Sequence, residues 1–373
     1  MSQAANPKHT IHGEPAYRLS SDLVELFITA RGGQIAPVRF TLPEGAFAQP
    51  YSLAPWLPDA HPEQPPILQI LRGDFFCFPF GVTEGIPLPH GETANQKWTL
   101  VAESEEAIQM EMQLANPAGT VTKSVQLRPG HRVLYQEHVL TGITGRFNYG
   151  HHAILQFPEG VTCPVRTSAF KLGQVYPGVF AQESEGERTA LKAGARFEHL
   201  DSVELADGGP TSLASYPARD GFEDLVMISA ADSVTLGWTA VSFPGYVWIS
   251  LRSTRQFPST LFWMSNGGRP QAPWSGQHRR RMGVEDVCSH FHDGADESAR
   301  DLLTQAGIPT AHDFQPEQST TLRHAQLVVP THGSPAVQAI TPQTDQDQIE
   351  IRFEDGSKLT TPLDWRWLME VPQ

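Results

Sequence analysis

Four short stretches carry polar side chains able to move protons or grip hydroxyls, each set among apolar or Gly/Pro-rich neighbours. In Met282-Gly283-Val284-Glu285-Asp286-Val287, Glu285 sits in a strand-like run directly after three arginines. Partial burial would raise the basicity of such a carboxylate and suit it to general-base work. The alternative is a salt bridge to Arg279, Arg280 or Arg281. In Asn148-Tyr149-Gly150-His151-His152-Ala153-Ile154-Leu155-Gln156-Phe157 the two histidines point to opposite faces if the segment is a strand. One of them then meets the interior or a cleft, either as a satisfied core histidine or as an acid–base group titrating near neutral pH. Pro89-His90-Gly91-Glu92 places a histidine beside a glycine, which permits close approach of a ligand, or else forms an exposed turn. Arg72-Gly73-Asp74 precedes an apolar run from Phe75 to Gly81, and offers either a fork of donors or a local ion pair. Cys288, His290 and His292 alternate, but three potential ligands without a fourth favour a structural role over a metal site.

The elements that must position these groups are strands. Residues 23–30 and 34–41 have strand length and composition, with Gly32-Gly33 turning the chain between them. Residues 47–66 are rich in Pro, Ala and Trp without periodicity and read as a long loop, often a functional feature. From 97 to 157 the chain reads as a β-meander, with strands at 98–102, 107–114, 121–127 and 133–140. Residues 109–114 alternate polar with apolar, as a strand with one wet face does. Residues 186–209 read as a charged surface excursion. Strands resume at 225–228, 234–241, 246–250 and 260–264. The clearest helix spans 298–305, stopped by Gly307 and Pro309. After Pro316 come a strand at 322–329 and a hairpin of 349–353 with 358–361 around Glu354-Asp355-Gly356-Ser357. Regular strand spacing implies an antiparallel sandwich or barrel. The expected organisation is a main β domain over 1–315 and a small β addition over 316–373.

Composition narrows the function classes. The 373 residues include 31 Gly and 31 Pro, many for a helical protein, and 39% hydrophobic with 18% charged residues marks a globular chain. Twenty-seven basic against 41 acidic residues leave a net charge of −14, which disfavours nucleic acid as a partner. No apolar run approaches the roughly 20 residues of a membrane span, and the first ten residues lack the apolar core of a secretory leader. Three widely spaced cysteines, Cys77, Cys163 and Cys288, fit reduced thiols and a cytoplasmic location.

Taken in order, the four polar places resemble the aldose 1-epimerase (galactose mutarotase-like) family, and its hexose-6-phosphate epimerase branch in particular. The resemblance rests on Arg72-Gly73-Asp74, then Pro79-Phe80-Gly81, His90-Gly91 and Trp98, on His152 with Phe157 five residues later, and on Val284-Glu285. It spans about residues 20–300. Ile154 and Leu155 stand where the family has an aromatic pair, and Asp224 is the counterpart of its late aspartate. The resemblance implies an all-β antiparallel supersandwich with a broad cleft for a monosaccharide or sugar derivative. It implies exchange of sugar anomers by ring opening, with Glu285 as base and His152 as acid, their roles reversing on reclosure. Arg72, His90 and Asp224 would hold sugar hydroxyls and Trp263 would pack on the sugar's apolar face. Neither a metal nor an organic cofactor is required. The arginine run beside Glu285 suggests an anionic sugar. Rival readings are a carbohydrate-binding protein without turnover, a polysaccharide lyase or glycoside hydrolase on a related fold, and an interaction protein built on a β-sandwich. Hydrolysis usually needs two carboxylates, and only Glu285 stands out.

Overall fold

A computed structural model describes residues 7–370. The body is two large antiparallel sheets packed face to face. The first has nine strands in the spatial order Ser215–Tyr216, Cys163–Thr167, Leu236–Phe243, Tyr246–Ser253, Thr320–Pro330, Val133–Thr141, Ala118–Gln126, Ala107–Ala115 and Thr99–Glu103. The second has eight. Its path runs Arg196–Phe197, Phe170–Val175, Glu223–Ala230, Ser259–Ser265, Arg281–Cys288, Tyr149–His151 and Phe76–Cys77, with Ala153–Gln156 also paired to Arg281–Cys288. A five-stranded N-terminal sheet, from His9–Ile11 to Phe47–Ala48, adds Leu26, Ile28, Val38 and Phe40 to the same core.

The eight-stranded sheet is buried on both faces, and alternation of side chains decides what each face carries. Met282, Val284 and Cys288 join Val226, Ile228 and Phe262 in the core between the sheets. Val287, Leu225, Met227, Leu261 and Trp263 point the other way, into a second apolar cluster roofed by Ala54, Trp56, Ile67 and Leu71. The roof explains the long aperiodic stretch after Phe47. Its backbone is largely irregular, with the short helix Pro66–Ile70 at its end, and its apolar residues close the outer face of the sheet. Burial on two faces also explains why these strands read as continuous apolar runs.

Two expectations are corrected. Thr320–Pro330 is not part of a C-terminal addition, because it pairs with both Val133–Thr141 and Tyr246–Ser253 in the middle of the nine-stranded sheet. The addition begins only after Pro330. It is a three-stranded sheet, Val337–Pro342, Gln348–Phe353 and Lys358–Pro362, followed by the helix Trp365–Met369. Its role is packing: Ile349, Ile351, Phe353, Leu363 and Leu368 cover Tyr135, Trp238, Ile249 and Leu327 on the outer face of the nine-stranded sheet. The helix expected at 298–305 lies earlier, at Gly294–Ala299, with a 3-10 turn at Thr304–Ala306. Between them Asp301 takes a left-handed backbone (φ 54°), and both its oxygens accept from Arg146 at 2.6 and 2.8 Å, so that ion pair replaces helix continuation. No helix among the described residues is long and apolar enough to cross a membrane. The three cysteines are unpaired and buried.

Candidate active site

Glu285 and His152 meet on the outer face of the eight-stranded sheet. Glu285 is held in register opposite Leu261. His152 occupies the break between Tyr149–His151 and Ala153–Gln156, where its backbone N–H donates to Phe75 O at 2.9 Å. That local break leaves His151 facing the core between the sheets and turns His152 outward. His152 Nε2 lies 3.3 Å from Glu285 Oε1, and the two residues are 5% and 3% exposed. Phe75 stacks on the imidazole at 4.7 Å and 20°, while His90 and Trp263 approach it edge-on at 5.3 and 5.8 Å.

Burial dominates the electrostatics. It raises the Glu285 carboxyl well above the usual carboxylate range and lowers His152 to about 4. Burial thus favours the uncharged form of each group, a protonated carboxyl beside a neutral imidazole. His90 is also held neutral, by burial and then by its neighbours His152 and His292. Gly81 N–H donates to His90 Nδ1 at 3.3 Å, which leaves the proton on Nε2. The turn that presents His90 requires glycine at 91: its φ is 73°, and a Cβ there would lie 1.9 Å from Phe78 O.

A pocket of about 300 Å³ opens onto this pair. Trp263 forms one wall and is itself anchored, because its indole N–H donates to Glu223 Oε2 at 3.0 Å. Glu223 Oε1 accepts from Ser265 Oγ (2.9 Å) and Gly268 N–H (3.2 Å). His278 stacks on the far side of the anchor, 5.2 Å from Trp263 at 16°. Arg269 lies over the rings of Trp274, Phe180 and Trp263 at 5.0, 5.1 and 5.7 Å, with its Nε 3.5 Å from Glu187. Burial pushes Glu223 up to about 7 against the pull of Arg269. Tryptophan fluorescence should therefore titrate with a midpoint near pH 7 as the indole acquires a charged acceptor, and this transition should vanish in Glu223→Gln. A flat profile across pH 6–8 in the parent protein would remove Glu223 from this role.

No protein-family model matches the sequence, and no curated protein matches it. Solved structures do. A galactose mutarotase related enzyme from Lactobacillus acidophilus superposes with a TM-score of 0.56 at 12% identity, over 86% of this chain and 99% of that one. A candidate aldose 1-epimerase from Klebsiella pneumoniae gives 0.57 at 14% identity, over 88% and 83%. An aldose epimerase homologue from C. elegans gives 0.54 at 11%, over 86% and 100%. The chain has the galactose mutarotase-like fold. At such identities the likeness speaks for architecture, and function must be argued from the site.

Within this mutarotase-like frame, four of the six residues singled out from sequence share the pocket: Glu285, His152, His90 and Trp263. The other two do not line it. Arg72 is buried and donates to the backbone carbonyls of Ile70, Ile11 and His12 at 2.9, 2.7 and 3.2 Å, so it anchors the N-terminal segment. Asp224 shares strand parity with Val226 and Ile228. Its carboxylate accepts from Ala190 and Leu191 N–H, both at 2.9 Å, and faces Arg219 at 3.5 Å. Glu223, one residue earlier and therefore on the opposite face, is the carboxylate that supports the pocket.

The arginine run is likewise elsewhere. Arg279 and Arg280 pair with the exposed carboxylates of Asp220 and Glu159, and Arg281 donates to Ser52 Oγ and to backbone carbonyls. Cys288, His290 and His292 diverge: the thiol lies near Pro309 O, His290 pairs with Asp293, and His292 lines the pocket. Arg269, Trp274 and Glu187 escaped the sequence reading. The first two lie in a Gly/Pro loop whose only visible signal was an arginine and a tryptophan among turn residues.

Behind the pair, between the sheets, lies a second polar cluster. Asp286 accepts from Thr260 Oγ1 (2.6 Å), Ser250 Oγ and His324 (2.9 Å), and faces Arg252 Nη1 at 3.0 Å. His151 contacts Asp74 at 3.0 Å. Asp74, His151 and His324 place ligand-type atoms within 4.8 Å of one another. The two imidazoles, however, stack at 4.1 Å and 12°. Parallel lone pairs do not converge on one ion about 2 Å away, so this arrangement is a hydrogen-bonded clamp between the sheets.

Proposed function

We propose that this chain is an acid–base isomerase that exchanges the anomers of a monosaccharide-sized sugar. The observation that carries the reading is the 3.3 Å contact of Glu285 with His152 in a pocket lined by tryptophan. Mutarotation needs a base for the anomeric hydroxyl proton and an acid for the ring oxygen. A carboxyl and an imidazole sharing one proton supply both. Burial favours that proton on Glu285, which makes Glu285 the donor and His152 the acceptor in ring opening in this reading, the reverse of the roles the family resemblance implies. Reclosure exchanges the roles, and the pair returns to its starting state. His90 Nε2–H is the neutral donor beside them, and Trp263 offers a flat apolar face to sugar C–H groups. No step calls for a cofactor.

The test is anomer exchange by NMR with catalytic amounts of the full chain. Exchange well above the buffer rate is expected, and His152→Ala should lower kcat by about 10²–10⁴-fold while circular dichroism stays unchanged. Wild-type rates in a folded His152→Ala variant would end the proposal. Sugar binding without accelerated exchange would identify a carbohydrate-binding protein instead.

A further inference from the structure

The walls of the Glu285–His152 pocket are uneven in chemistry. The helix Pro66–Ile70 and the residue after it contribute Ile67, Leu68 and Leu71, and Leu225 adds a fourth aliphatic side chain. An aromatic wall can accept the C–H face of any sugar, but an aliphatic wall offers nothing to a hydroxyl. A hydroxyl buried there without a partner costs roughly tenfold to hundredfold in binding, whereas a methyl group packs without that cost.

Charge points to the same class of ligand. Among the described residues Arg269 is the only lysine or arginine lining the pocket, and its guanidinium is spread over three aromatic rings and faced by Glu187. The described residues therefore leave the pocket no free lysine or arginine for an anionic substituent, and Glu187 lies beside the one arginine present.

Resting on the proposed anomer exchange, we infer that the substrate is a neutral monosaccharide with an alkyl group where a common hexose has a hydroxyl, the 6-deoxyhexoses being the simplest class. Phosphorylated and uronic sugars are turned away. The anomeric carbon sits at Glu285 and His152, and the methyl group meets the aliphatic wall.

The experiment measures exchange kinetics for D-fucose against D-galactose and for 6-deoxy-D-glucose against D-glucose, together with galactose 6-phosphate and galacturonate. The expected result is a kcat/KM at least tenfold higher for each deoxy-sugar than for its parent, with both anionic sugars at or below the parent. Parents equal to or faster than their deoxy forms, or an anionic sugar fastest, overturn the inference while leaving anomer exchange standing. Quenching of tryptophan fluorescence separates the two claims. Tighter binding of the deoxy-sugars with no exchange supports this pocket specificity and ends the catalytic reading. Neither binding nor exchange for any sugar ends both. Leu68→Gln, at a partly buried position, supplies a hydroxyl partner and should shrink the deoxy-to-parent ratio at least threefold. An unchanged ratio in a folded variant overturns the role of the aliphatic wall.

Discussion

Glu285→Gln is expected to lower anomer exchange by about 10²–10⁴-fold and, at alkaline pH, to leave the protein more stable than its parent. The two effects share one cause. Among the described residues Glu285 is buried with no lysine or arginine paired to it, and burial raises its carboxyl well above the usual range. A carboxyl raised in the folded state contributes stability at low pH that is lost as pH rises through the folded value. Glutamine keeps the shape, carries no charge, and can donate to the lone pair of His152 Nε2, so it removes the alkaline cost while removing the transferable proton. Thermal unfolding at pH 6 and pH 9 should show a larger gap between the variant and its parent at pH 9. Retained exchange, or a variant destabilised at both pH values, would place Glu285 in the structure rather than in the chemistry. The neighbouring Asp286→Asn should behave oppositely. Asp286 is held well below the usual range by Arg252 and its hydrogen-bond donors despite its burial, and its loss opens the clamp between the sheets.

Adjacent residues with opposite fates recur at the centre of this molecule, and they show where the sequence was readable. Strand positions were legible because alternation and Gly/Pro punctuation are local signals. The strands expected at 23–30, 107–114, 133–140 and 260–264 appear at Val24–Thr29, Ala107–Ala115, Val133–Thr141 and Ser259–Ser265. Alternation also required His151 and His152 to part company. Which one faced the pocket was not legible, because it depends on which sheet covers which face. The same ambiguity explains Asp224: a carboxylate was needed near that point, and parity gave the position to Glu223. Arg72 was misread because a guanidinium serves backbone carbonyls as well as it serves ligands, and only tertiary structure brings Ile11 and His12 to it. The boundary at 316 failed because order along the chain differs from order across a sheet. Thr320–Pro330 returns to the sheet centre after a long excursion. Arg269 and Trp274 lie in a loop without period, where sequence carries no directional information.

Lowering the pH from 6.5 to 5.5 is expected to remove about 2 kcal/mol of stability, a sizeable share of the 5–15 kcal/mol typical of a folded domain. The source is a set of buried, neutral histidines. Burial lowers His151 and His152 to about 4, and lowers His138 and His278 well below the ordinary value. Neighbouring charges add to the effect, Lys123 for His138 and Arg281 with Arg269 for His278. A base whose folded value is depressed contributes stability above its unfolded value, near 6.5, and loses it as pH falls toward the folded value. Each such histidine costs roughly 1 kcal/mol per pH unit in that window. Glu223 and Glu285, raised in the folded state, gain stability over the same window and offset about half of the loss. Asp74, held at about 2 largely by His151, responds only at lower pH. Urea unfolding at pH 7.5, 6.5 and 5.5 should show a stability that changes little over the first step and drops over the second. His138 offers the control. Among the described residues neither of its ring nitrogens has a hydrogen-bond partner, and its ring stacks on Phe76 at 4.0 Å, so His138→Leu should remove one proton from the acid slope without touching the pocket. A parent protein equally stable at 6.5 and 5.5 would mean that these imidazoles, once protonated, find carboxylate partners inside the sandwich, and that the two sheets are held together by charge rather than by its exclusion.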